Sequence, residues 1–315
     1  MTTRRLLVHT VFLYLALIIV VWLDFSTLGA IGTVLLLLLW RWAISLSGIR
    51  APEKAPELQL DTISASHFVE KVRWCMDRLG VEYTERPAGG ALGAFFLGRT
   101  VPRLRFRTGA VCSSIGNSPE ILRYLWGRYG VSHSERAKFL EPTADRLELE
   151  QKIDRYGVDL QVWVYYHILD DRALTQHAWG CNSPTVPAWQ RWTLVLLYPL
   201  LKPLMRSAFR ISDGHYVKAV GHIDDLLTEI EGRLADGRRS ILGGEEPDYV
   251  DIAFAAISGL WLQPEGYGGG KADAVRIDRD RAPRQMRSEI VNWTERYPHS
   301  TALIERLYKE ERLRA

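Results

Sequence analysis

Two apolar runs at the start of the chain restrict its architecture more than any other feature. Leu6 to Leu23 has no Asp, Glu, Lys or Arg, and Leu28 to Leu46 contains Arg41 alone. As a helix rising about 1.5 Å per residue, the first run is about 27 Å long, close to the hydrocarbon thickness of a bilayer. Asp24, Ser26 and Gly29 separate the two, a spacing that predicts a transmembrane helical hairpin over residues 1–47. Arg4 and Arg5 precede the hairpin, while Arg41, Arg50 and Lys54 lie at or beyond its end. The positive-inside rule then places both ends, and everything that follows, in the cytoplasm. A cleaved signal peptide, with Thr27 and Gly29 as its small residues, is disfavoured by the second run. One span plus one interfacial helix is the variant that would move the rest of the chain across the membrane.

Residues 48–57, with Pro52 and Pro56, read as a linker. Beyond it the chain is globular in character: hydrophobic residues make up 47% and charged residues 24% of the whole, which excludes a disordered polar chain. A net charge of +3 is too small to imply nucleic acid. The cysteines Cys75, Cys112 and Cys181 are widely spaced, with no Cys-x-x-Cys pair and no histidines at ligand spacing. No disulfide and no metal are expected, and Cys75 and Cys112 read as small buried hydrophobes. Trp163, Trp179, Trp189 and Trp192 read as core or membrane-interface residues.

Residues 58–130 alternate between strand and helix signals. Leu58 to Thr62 is a short apolar strand. Ser66 then caps a helix from His67 to Leu79, whose Phe68, Val69, Val72, Met76 and Leu79 share a stripe, with Gly80 as the stop. Val81 to Arg86 reads as a parallel strand reached by a crossover. A glycine-rich stretch (Gly89, Gly90, Gly93, Gly98) precedes strands near Thr100 to Phe106 and Gly109 to Cys112, and a helix runs from about Pro119 to Tyr129. A small mixed sheet flanked by helices fits this order.

Ser66 is the first place to look for chemistry. A serine between a strand and a helix aims its hydroxyl and the free N–H groups of the first turn at one point, which suits a thiolate or another anion. The plain alternative is a helix cap, and Ser64 is the other hydroxyl within reach.

The order of strand, Ser66 at a helix start, Val101-Pro102 before a strand and Asn117-Ser118-Pro119-Glu120 at a helix start resembles the thioredoxin-like domain of cytosolic-type glutathione transferases, in their serine or omega-like branch. The second half, a helical region from about Thr143 and a helix opened by Asp248-Tyr249-Val250-Asp251, is similar too, so the likeness covers roughly residues 58 to 310. It implies a glutathione-binding domain at 58–130 and an all-helical domain at 131–315. It also implies a membrane-anchored transferase that conjugates glutathione to a hydrophobic electrophile, or cleaves one with it. In this reading Ser66 stabilises the glutathione thiolate, and a cis bond at Val101-Pro102 turns the Val101 backbone to the cysteinyl part. Asn117 and Ser118 hold the γ-glutamyl end, with Asn117 standing where relatives carry an acid. His67, where many relatives carry proline, is either solvated or near the glycine carboxylate. Trp163, Tyr165, Tyr166 and His167 are implied for the substrate pocket, and a homodimer is possible. The alternative is a non-catalytic membrane adaptor of the same fold, as in metaxin-like proteins. A thiol reductase lacks its expected cysteine at position 66 or 69.

Three further features belong to the helical half. Asp248 with Asp251 forms a capping-box pattern. Gly266 to Gly270 reads as a loop able to close over a substrate. Trp192 to Met205, interrupted by Pro199 and Pro203 and flanked by Arg191, Lys202, Arg206 and Arg210, is expected either on the cytoplasmic leaflet or inside the helical domain.

Overall fold

The computed structural model describes residues 4–24, 26–49, 55–92, 101–108 and 111–312. Two compact units emerge, Met1–Glu57 with Phe106–Ser113, and Leu58–Arg105 with Ser114–Ala315. In the first unit, helix α1 (Arg4–Asp24) packs on α2 (Thr27–Ile49). The Ser26 hydroxyl accepts from the Gly29 N–H at 3.1 Å and starts the second helix. Thr27–Leu46 has a mean hydropathy of 1.7; among the described residues it is the one helix long and apolar enough to cross a membrane. The expected first span falls partly on residues 4–13, whose side chains lie outside the described set. So do the charges of Arg4, Arg5, Arg50 and Lys54 and residues 50–54 of the linker.

A four-stranded sheet has the order β2-β1-β3-β4, with β1 (Glu57–Ile63), β2 (Tyr83–Ala88), β3 (Arg103–Thr108) and β4 (Val111–Gly116). β1 and β2 run parallel, Leu58 opposite Tyr83 and Ile63 opposite Ala88. Between them lies α3 (His67–Leu79), whose two ends show why it stops where it does. The Ser66 hydroxyl accepts from the Val69 N–H at 3.4 Å, and Gly80 takes the left-handed conformation at φ 70° while its N–H closes on Asp77. α4 (Ser118–Tyr129) completes the αβ part and packs on α3.

The helices that follow are α5 (Ala144–Ile168), α6 (Arg172–Ala178), α7 (Ala188–Ala208), α8 (Asp213–Leu234), α9 (Tyr249–Leu262), α10 (Arg284–Arg296) and α11 (Pro298–Leu307). α9 is apolar all round and buried all round, which puts it at the centre, against α3, α5 and α11. Its start carries a complete capping box: the Asp248 carboxylate accepts from the N–H groups of Val250 and Asp251, and Asp251 accepts from the Asp248 N–H. Asp251 also takes the Ser240 hydroxyl at 2.7 Å and the Ile241 N–H at 2.8 Å, tying the preceding loop to the helix.

Four expectations change. α7 is one continuous helix with both prolines inside it. Pro199 has no N–H to give Val195, and a guanidinium nitrogen of Arg172 donates to that carbonyl instead, at 3.0 Å. The glycine run at 266–270 is a tight turn packed on α3 rather than an open loop: Gly266, Gly268, Gly269 and Gly270 all have positive φ, and Tyr267 between them is buried, its hydroxyl donating to the Ala65 carbonyl. Cys112 is exposed, because β4 is the edge strand, whereas Cys75 is fully buried and burial pushes its thiol up to about 12. The apolar stripe of α3 is only part of its buried surface, since Glu70, Lys71 and Arg73 are buried too. Gly93, Gly98, Thr100 and Gly109 lie outside the described residues.

Candidate functional site

A cavity of about 390 Å³ lies within the second unit, and Ser66, His67, Val101 and Asn117 all line it. The fold brings them together by simple means. Ser66 stands at the N-terminus of α3, directly after the β1 edge. Val101 precedes Pro102 through a cis peptide bond, as expected at that position. The Asn117 N–H donates to the Pro102 carbonyl at 3.1 Å, which brings the start of α4 to the same corner.

Asn117 caps α4 without using its side chain and sits at φ 72°, ψ 136°, a strained backbone for a residue with a Cβ. Ser118 is not the cap but the first helical residue. It is fully buried, and its hydroxyl has no hydrogen-bond partner among the described residues. A buried orphan hydroxyl beside a free helix N-terminus is unusual, because leaving such a group unpaired costs about 1–3 kcal/mol.

His67 is neither solvated nor a free cation. It is 3% exposed, and Nε2 lies 2.9 Å from the Gly157 carbonyl of α5. A carbonyl only accepts, so Nε2 carries the proton. Burial outweighs this hydrogen bond and lowers the ring from 6.5 to about 4, leaving it neutral at physiological pH. Gly157 is what lets the two helices meet, since a Cβ there would sit 2.8 Å from the Phe68 ring. Between pH 6.5 and about 4 the unfolded chain gains a proton that the folded ring refuses. Stability from this group is therefore complete above pH 6.5 and is lost as the pH falls, by up to about 3 kcal/mol at about 1.4 kcal/mol per pH unit. Urea unfolding should accordingly show the deficit of His67→Gln relative to wild type shrinking from about pH 7.5 to about pH 4.5. A pH-independent difference would contradict this account of His67.

The cavity wall on α5 consists of Asp154, Val158, Gln161, Val164, Tyr165 and Ile168, one helical stripe. Trp163, Tyr166 and His167, expected there, do not line it. They lie on the other side of the helix, toward α8 and α10: Trp163 Nε1 donates to Glu289 at 2.5 Å, His167 Nε2 lies 3.1 Å from the same carboxylate, and Tyr166 donates to Asp213 and stacks on Tyr216. Helical phase explains the miss. Positions 158, 161, 165 and 168 form a stripe legible in the sequence, but nothing local says which stripe faces the cavity. Beyond α5, the wall is largely apolar, with Phe68, Trp179, Met205, Phe209, Trp261 and Met286.

Charge sits behind this wall. Lys71 is fully buried and bridges Glu150 and Asp154, both at 2.8 Å. Burial opposes its charge, but the two carboxylates more than offset that and hold Lys71 above its ordinary value. Thus the Asp154 carboxylate at the cavity edge is already committed to a cation. The site offers a hydroxyl and a helix N-terminus at one end and an apolar chamber at the other, an arrangement able to hold an anion beside a hydrophobic molecule.

The chain is similar to a glutathione S-transferase from Methylobacterium radiotolerans in complex with glutathione sulfonate, at 16% identity over 82% of this chain and 93% of that one, with a TM-score of 0.48. It is similar to a theta class glutathione S-transferase from Xanthomonas axonopodis pv. citri with glutathione bound, at 19% identity over 82% and 95%, with a TM-score of 0.42. A beta-etherase from Sphingobium sp. is similar at 13% identity over 82% and 97%, with a TM-score of 0.48. No protein-family profile and no curated protein matches the chain.

Proposed function

We propose that this protein is a membrane-anchored glutathione transferase, which conjugates glutathione to a hydrophobic electrophile or uses it to cleave one. The observation that carries this reading is the meeting of Ser66, Val101 and Asn117 at one end of a mainly apolar cavity. A free thiol with a pKa near 8.5 is mostly protonated at neutral pH, and the thiolate is the nucleophile. Ser66 accepts from Val69 and keeps its own proton to donate, so its hydroxyl and the N-terminus of α3 together favour the charged sulfur. Ser118 and the first turn of α4 supply donors for the γ-glutamyl carboxylate, and the orphan hydroxyl there supports that assignment. Asn117 offers an amide oxygen to the γ-glutamyl ammonium, a weaker bond than a carboxylate would make. His67, neutral and committed to Gly157, brings no charge to the glycine carboxylate. The hydrophobic partner lies along the α5 stripe, and holding it beside the thiolate supplies most of the acceleration.

The Thr27–Leu46 helix supports the anchor, and the positive residues at both hairpin ends support a cytoplasmic orientation. Titrating the full-length protein with glutathione tests the reading. Saturable binding supports it, whereas absence of binding in a folded protein favours the adaptor.

A further inference from the structure

α7 has two apolar faces. Leu194, Tyr198, Leu201 and Met205 are buried in the helical core. Trp189, Trp192, Leu196, Leu200 and Leu204 point outward, with Trp192 at 75% and Leu196 at 77% exposure. Their spacing of three and then four residues makes a continuous stripe along the whole helix. The exposed Pro199 and Pro203 lie among them and add no polar side chain.

From Ala188 to Arg210 there is no acidic residue, while Arg191, Lys202, Arg206 and Arg210 are basic. Lys202 and Arg206 share one exposed carboxylate, Asp170, at 2.8 and 2.7 Å, so the positive charge is only partly neutralised. A large apolar stripe led by two tryptophans and accompanied by cations has the chemistry of a helix lying in a bilayer interface. We infer that the outward face of α7 is a docking surface for an anionic lipid bilayer.

The same helix reaches the cavity: Met205 on its inner side and Phe209 just beyond its end both line it. A lipid-seated α7 therefore puts the chamber wall next to the acyl chains, giving lipophilic molecules a short route in. The docking itself does not depend on the thiol chemistry proposed above.

The test uses the full-length protein carrying Cys112→Ser, because Cys75 and Cys181 are buried. A polarity-sensitive fluorophore is attached at Leu196→Cys or, as a reference, at Val131→Cys, a position 94% exposed. In vesicles containing phosphatidylglycerol, the label at 196 should shift to the blue, lose quenching by aqueous iodide and gain quenching by brominated lipid. These effects should weaken in pure phosphatidylcholine, and the label at 131 should stay iodide-quenched in both. Adding Trp192→Asp should restore iodide quenching at 196 with the unfolding midpoint unchanged, since residue 192 is exposed. Equal iodide quenching at 196 and 131 in anionic vesicles would overturn the inference. So would protection at 196 that persists without lipid and disappears on dilution at constant detergent, which would mean that a second copy covers the face.

Discussion

Replacing Glu70 with alanine is expected to remove about 3 kcal/mol of stability, read as a fall in the urea midpoint of the full-length protein. Glu70 is fully buried on α3, and two buried guanidiniums depend on it: Arg73 at 3.1 Å and Arg312 at 2.7 Å. Arg312 belongs to the π-helical turn Tyr308–Arg312 that follows α11, so this carboxylate ties the end of the described chain to the first helix of the αβ part. Deleting one partner of such a network leaves buried charge uncompensated, typically at about 3–5 kcal/mol. The lower end applies because Arg73 keeps Glu85 at 2.9 Å and Arg312 keeps Asp77 at 2.7 Å. Glu70→Ala combined with Arg312→Ala should cost less than the sum of the two single changes, by about 1–3 kcal/mol, since the second change removes the charge that the first exposed. Strict additivity would mean that the network does not act as a unit.

Ser66→Ala is expected to lower the rate of glutathione addition about 100-fold near neutral pH, the size of effect seen when one donor to a reacting anion is removed. Helix capping changes too, at about 1 kcal/mol, so stability must be measured alongside. A pH titration of the bound thiol separates the two effects. In wild type the thiolate should form well below pH 8.5, in Ser66→Ala close to it, and Ser66→Thr should recover most of the shift, because it keeps a hydroxyl at the cap. A rate that falls while the thiol titration stays in place would assign Ser66 to capping alone.

Much of the fold was legible because its signals are local. Ser66 and Gly80 bound α3 to the residue, Asp248 with Asp251 marks the start of α9, and Thr143 caps α5. The corner that brings Ser66, Val101 and Asn117 together, and the cis bond, were implied by the resemblance to glutathione transferases that the element order carries. What stayed hidden depends on partners distant in sequence. Lys71 looks like a solvated helix residue until Glu150 and Asp154 appear beside it. His67 looks like an exposed helix start until the Gly157 carbonyl, ninety positions on, accepts a hydrogen bond from its ring. Of the aromatic residues of α5 expected at the cavity, Tyr165 lines it and Trp163, Tyr166 and His167 do not, for the same cause, since both stripes carry aromatic residues and only tertiary packing selects between them. Pro199 read as a helix break because a distant arginine, Arg172, takes the carbonyl that it leaves free.

The central claim, that the corner of Ser66, Val101 and Asn117 receives glutathione, is tested most directly by calorimetric titration of the full-length wild type and of Ser118→Ala. The Ser118 hydroxyl has no partner among the described residues, so its removal should not lower the unfolding midpoint. If it instead waits for the γ-glutamyl carboxylate, the same change should weaken binding about ten-fold or more, the worth of a hydrogen bond to a charged group. Saturable binding by wild type with that selective loss is the predicted result. No heat of binding up to about 10 mM glutathione, where the binding free energy falls below about 3 kcal/mol, would contradict the account, as would equal affinity in the two proteins.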